Sequence, residues 1–196
     1  MVASSTSKGG AATDTIINSG GRQDVSSGGT ATNTTINSSG NQHVYSGGTA
    51  TNTTINSGGR QHVSSGGTAT ITTINSSGTQ NVSSGGTATD TTINSGGVQQ
   101  VYGAATDTTI IGGNQHIENG GTATSTTINS GYQFIGSLLF PGGTATDTTI
   151  NSGGTQVVYS GGTATSTTIH NSGGADPLRR LGHLHHNQQR WYAKRL

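Results

Sequence analysis

Apolar side chains in this chain recur at a fixed distance. Ile17, Ile36, Ile55, Ile74 and Ile93 lie 19 residues apart, as do Val25, Val44, Val63, Val82 and Val101. We number each unit from the first glycine of the doublets at Gly9, Gly28, Gly47, Gly66 and Gly85. Slots 15 and 17 then hold Gln and Val almost without change (Gln23 and Val25, Gln42 and Val44, Gln61 and Val63). Slots 14, 16 and 18 vary freely: Arg22, Asn41, Arg60 and Thr79; Asp24, His43, His62 and Asn81; Ser or Tyr. Variation at every second position is the signature of a strand with one face in and one face out. Gln and Val are expected to point inward and the variable set to face solvent.

The other half of the unit alternates too. Slot 9 is Ile, continuing through Ile128, Ile150 and Ile169, while slot 6 varies (Asp14, Asn33, Asn52, Ile71, Asp90). Parity puts the threonines of slots 5 and 7 on the Ile face. It puts slot 8 outside, although slot 8 is Thr in nearly every copy (Thr35, Thr54, Thr73, Thr92). The β-branched content suits strands rather than helices. Gly-Gly and Asn-Ser-Gly-Gly segments supply two turns per unit, where positive φ is needed.

Strand, turn, strand, turn, with a return to the start one layer higher, describes an all-β parallel solenoid of about nine 19-residue coils. Coils stack about 4.8 Å apart, so like lands on like. Internal ladders of Ile, Val, Gln and Asn are expected, with stacked amides bonding along the axis. A flat β-roll fits the same pattern. The spacing slips around Tyr102–Ile111 and near Gly131, and an insertion at Gly136–Pro141 adds Leu138, Leu139 and Phe140, a candidate exposed apolar loop.

Composition agrees with a thin array rather than a thick globular core. The chain of 196 residues has 34 Gly, 8% charged and 4% aromatic residues and no Cys. No apolar run is long enough for a transmembrane helix, and no ten-residue alternating segments of an outer-membrane barrel occur. The formal charge of +1 hides an asymmetry, because the segment from Ala175 onward is basic and carries the only Trp. We therefore divide the chain into a leader (1–8), a repeat domain (9–174) and a non-repeat basic tail (175–196). His183, His185 and His186 could be read as a metal site, or the tail as a nucleic-acid patch. Back-translation offers another account. Shifted by one nucleotide, the stretch from His185 can read STTTSSGGTQNV, the repeat again, so the tail is expected to be a frameshifted, disordered continuation without evolved function.

Little in the array points to catalysis. His43, His62 and His116 occupy equivalent outward slots, and a column of His could bind a metal or sense pH. Their neighbours Asp24 and Asn81 do not continue the column, so solvated variable positions are the simpler account. No Ser/His/Asp or paired-carboxylate arrangement stands out, and the Gly-rich segments lack the Lys-Ser/Thr of a phosphate loop. No enzyme activity, metal or cofactor is expected. An ice-binding Thr-rich solenoid is the alternative to a structural role, since Thr-Ala-Thr recurs in each unit, although parity places slots 5 and 7 inside.

GGTATNTTINSGGRQHVSS (47–65) and GGTATDTTINSGGTQVVYS (142–160) resemble the repeats of AIDA-type autotransporter passengers, the self-associating adhesins. The resemblance covers residues 9 to about 174. It implies a right-handed parallel β-helical stalk on a bacterial surface. It also implies adhesion, autoaggregation and biofilm formation by side-to-side self-association, with a host or bacterial surface as a further partner. Nucleic-acid binding and membrane insertion by this segment are not implied. O-linked glycosylation of repeat Ser and Thr is implied as well, and by parity the best-exposed candidates are Thr35, Thr54, Thr73 and Thr92. The family's signal peptide and translocator barrel have no counterpart in this sequence, so a truncated passenger fragment is expected.

Overall fold

A computed structural model describes residues 4–137, 142–170 and 174–176. The apolar insertion at Leu138, Leu139 and Phe140, and the tail with its His183, His185 and His186, lie outside the described residues. Every described strand pairs parallel with its equivalent one coil away. Thr30–Ile36 pairs with Thr49–Ile55, that strand with Thr68–Ile74, and Asn41–Val44 with Arg60–Val63, all in identical register. This is a parallel β-helix. Its eight coils run from Gly9 to Ser160, and a ninth opens with Thr163–Thr165 and Thr168–Ile169. The ladder reaches one strand beyond the expected bounds at each end. Ser4–Lys8 pairs with Arg22–Ser26, and Gly174–Asp176 pairs with residues 155–157.

Each coil has three sides rather than two. The division falls at slot 6, which has a left-handed backbone in every coil: Asp14 φ 52, Asn33 φ 55, Asn52 φ 56, Ile71 φ 56, Asp90 φ 54. Asn and Asp tolerate this conformation best after Gly, which is why the slot favours them. A left-handed residue turns the chain and resets the alternation. Slot 4 therefore points in (Ala31, Ala50, Ala69, Ala88), slots 5 and 6 both point out, and slot 7 points in again (Thr34, Thr53, Thr72, Thr91). The expectation that slot-5 threonines are internal is thereby corrected: Thr32, Thr51, Thr70 and Thr89 are on the outside. Simple parity carried across the whole segment fails because one residue in it is not extended.

The interior is a stack of identical layers. Ile17, Ile36, Ile55, Ile74, Ile93, Ile110, Ile128 and Ile150 form one buried column. Val and Ala form another on the opposite corner, for example Val63, Ala69, Val82 and Ala88. Between them runs a polar spine. Each Gln Nε2 donates to the Gln Oε1 one coil below at 2.7 Å, from Gln42→Gln23 through Gln99→Gln80. Thr34, Thr53 and Thr91 hydroxyls donate to the same Oε1 atoms. Every amide in the spine is paired, so polar groups that would cost free energy if buried alone are satisfied. The Asn ladder, expected inside, sits on the rim. Asn37→Asn18, Asn56→Asn37, Asn75→Asn56 and Asn94→Asn75 span 2.9 Å each on part-buried or exposed side chains.

The two glycines of a doublet do different work. Gly47 has φ 73, while a Cβ on Gly48 would stand 2.3 Å from the carbonyl oxygen of Val25 in the coil below. The first needs the left-handed conformation, and the second lets successive layers approach. The sequence slips are absorbed at such corners. Gly103 alone replaces a doublet, and Gly112–Gly113 replaces a longer turn through a bulge opposite Asn94. The strands on either side stay in register, Gln99 opposite Gln115 and Val101 opposite Ile117.

Candidate functional surfaces

With the interior uniform, the variable chemistry lies on three outward faces. The first carries slots 3 and 5. Thr49, Thr51, Thr68, Thr70, Thr87 and Thr89 stand in paired columns, all half-buried by their neighbours above and below. Ala11 and Ala104 interrupt the slot-3 column.

The second face carries the slot-6 ridge and the slot-8 column. Asn33 Nδ2 donates to Asp14 Oδ1 at 2.9 Å and Asn52 Nδ2 to Asn33 Oδ1 at 2.7 Å. Ile71 then breaks the chain of amides, 49% exposed and in a left-handed conformation. Thr35, Thr54, Thr73 and Thr92 are brought into one register-aligned column. They do point outward, but each is half-buried. The corner serines, among them Ser38, Ser57, Ser76, Ser46, Ser65 and Ser84, are exposed where that threonine column is not. Backbone bonds between coils run through the corners as well, from Gly47 N to Gly66 O and from Ser39 N to Gly58 O, so the exposure of these serines belongs to the turn and not to a lack of stacked neighbours. Parity could not show that distinction.

The third face carries slots 14, 16 and 18 and holds Arg22, Arg60 and the described Tyr and Phe side chains. Arg22 Nε bonds Asp24 Oδ1 at 2.8 Å, and its Nη2 donates to the Tyr45 hydroxyl at 2.7 Å. The bond and charge of Asp24 raise the Arg22 guanidinium above its ordinary range. His43 and His62 stack with centroids 4.9 Å apart, and His43 also stacks on Tyr45 at 5.8 Å. Farther along, His116 stacks on Phe134 at 4.8 Å, and Phe134 lies beside Tyr132 and Tyr159 at 5.6 and 6.4 Å. Sequence reading missed this aromatic cluster. The slip near Gly131 and the insertion hide that Tyr132 and Phe134 occupy slots 14 and 16, which the pairing with Asn114 and His116 makes plain. Burial holds His43, His62 and His116 below their ordinary value. Burial, then the charge of Glu118, raises Tyr102. Among the described residues no group of three or more His, Cys, Asp or Glu could hold a metal ion, and no helix is long and apolar enough to cross a membrane.

A rod whose inside is constant and whose outside varies from coil to coil belongs to the class of repetitive β-helical stalks. A family model described as "Adhesin of bacterial autotransporter system, probable stalk" matches residues 27–78 and 136–174. Among solved structures, a hyper-glycosylated fragment of TibA, its glycosylation catalysed by TibC, is 53% identical with a TM-score of 0.84. The alignment covers 88% of this chain and 63% of the TibA chain. No curated protein matches. The repeats are those of an AIDA-type autotransporter adhesin passenger.

Proposed function

We propose that this chain is a stretch of adhesive stalk, a stiff non-catalytic rod that holds repeated faces out from a bacterial surface and lets rods associate side by side. The observation that carries this reading is the division between faces. The Gln spine and the Ile column run through successive coils, with Val or Ile opposite them, so length is added with little change of cross-section, while the outward Thr columns repeat at the spacing of the coils. A second rod in register meets the same columns again at each layer. Weak contacts multiply along the length through effective concentration. The TibA relative is hyper-glycosylated. By analogy, we place O-linked sugars on the outward hydroxyls here: Thr35, Thr54, Thr73 and Thr92, together with the corner serines. The outward slot-3 and slot-5 threonines remove one objection to ice binding. Their half-burial and the alanine breaks favour adhesion.

Display of the full chain on a non-clumping bacterium tests the reading. Cells are expected to aggregate and settle. Cells that stay dispersed while the protein is detected at their surface would refute it. Mass spectrometry after co-expression with TibC tests the sugar sites. Loss of the modified peptides in a variant with Thr35, Thr54, Thr73 and Thr92 all changed to Val would locate them on that column. Unchanged peptides would leave the serines as the acceptors.

A further inference from the structure

The outward column Asp24, His43, His62, Asn81 contains a pair of imidazoles that a stalk does not require. His43 and His62 are register partners, their rings 4.9 Å apart and inclined by 17°, and both are half-buried. The groups facing them come from four strands. Arg22–Ser26 brings Arg22 and Asp24 from below, Asn41–Val44 leads on to Tyr45, Arg60–Val63 brings Arg60, and Thr79–Val82 brings Asn81 and no charge. Asp24 is the one anion among them, and both its oxygens are taken by Arg22 Nε at 2.8 and 3.0 Å. Charge added to the pair therefore meets two arginines and a carboxylate already engaged.

Asn81 makes the arrangement two-state. Its Nδ2 lies 3.4 Å from His62 Nδ1, and its Oδ1 is buried without a partner. A neutral His62 with its proton on Nε2 accepts from Asn81 at Nδ1. That lone pair is the one place where a second proton can add. Once it is filled, N–H faces N–H until the Asn81 amide turns over and presents the orphaned Oδ1. Neutral and charged His62 thus select opposite orientations of one buried amide.

We propose that His43, His62 and Asn81 form an acid-responsive joint in the stalk, at which protonation of the stacked pair loosens the third side of coils two to four while the seventh and eighth coils, which carry no His, hold. Two cations cannot share a 4.9 Å stack without repulsion that half-burial leaves poorly screened. The direction of titration agrees. Burial first, then Arg22, lowers His43; burial first, then His43 and Arg60, lowers His62. The folded chain then binds fewer protons than the unfolded chain. The stability these groups confer is full above the ordinary value of 6.5 and is lost as pH falls through the lowered folded values.

Amide exchange on the full chain, expressed as protection factors at neutral and mildly acidic pH, tests the joint. Protection of Asn41–Val44, Arg60–Val63 and Thr79–Val82 is expected to fall by about tenfold or more on acidification, relative to Gly154–Val158. The H43N/H62N double variant should keep it, because Asn81 shows that Asn is at home in this slot. A parallel fall in all four strands, or an equal fall in the double variant, overturns the proposal. Imidazole nitrogen NMR is the second readout. His62 should titrate below the ordinary value with its neutral proton on Nε2. Titration of His62 at or above the ordinary value overturns the proposal as well.

Discussion

Coils 28–102 and coils 103–160 share one inner column and differ at their corners. In the first block successive Gln rungs are 19 residues apart, and the rim Asn ladder runs alongside them. In the second block the rungs are 16, 18 and 23 residues apart, yet the amide bonds still measure 2.7 to 2.8 Å. The rim ladder does not survive: it ends at Asn94, whose register partners are Ile111 and Gly112. Among the described residues it is resumed only between Asn151 and Asn129. Stacking inside therefore sets the geometry and the corners conform to it. Chain length between rungs is free within the limits of a glycine corner, and rung chemistry is not.

The largest expected effect tests the shared column. Ile55→Ala and Ile128→Ala each remove a side chain that is 0% exposed from the same ladder. Each should cost about 2–5 kcal/mol in urea unfolding, the range for emptying a packed aliphatic site. Equal costs sharpen the comparison. A cost near zero for Ile128→Ala would show that the irregular block is loosely stacked and break it.

The interior was legible in the sequence because it repeats. Ile55, Gln61 and Val63 vary so little from unit to unit that their period alone assigned them inward. What was not legible depends on single residues that interrupt a period. Left-handed slot 6 cannot be told from an ordinary outward polar slot by alternation, so Ala50 was not recognised as core and Thr51 was placed on the wrong face. The half-burial of Thr54 comes from the coils above and below it, which only register in three dimensions supplies. The aromatic cluster around Phe134 was hidden by an insertion that moved its slot number but not its place in the ladder.

A middle-sized effect lies on the slot-6 ridge. Ile71 is β-branched and holds φ 56 where its neighbours are Asn52 and Asp90. An L-residue pays roughly 1–2 kcal/mol for this conformation, and Asn recovers part of it. Ile71→Asn should therefore stabilise the chain by about 1 kcal/mol and extend the amide ladder from Asn52. The matching change in the second block, Ser125→Asn, acts on a smaller side chain at φ 57 and should shift stability by no more than about 0.5 kcal/mol. A gain from Ser125→Asn as large as that from Ile71→Asn would mean that backbone tolerance, and not the misfit of Ile71, limits the ridge.

The smallest effect tests where the blocks meet. Asn56 donates to Asn37 and accepts from Asn75, whereas Asn94 only donates, to Asn75. Asn56→Ala breaks two rim bonds and Asn94→Ala breaks one. A neutral hydrogen bond contributes roughly 0.5–1.5 kcal/mol when buried, and a wet rim takes the lower end, because water replaces a lost partner. Asn56→Ala should thus cost about 1 kcal/mol and Asn94→Ala about half of that, resolvable as a difference in urea midpoint at constant slope. If the two cost the same, each rung acts alone, and the loss of the ladder beyond Asn94 has no consequence for its neighbours. If Asn94→Ala costs more, the end rung would be holding the bulge opposite Gly112, and the corner, not the column, would set the geometry there.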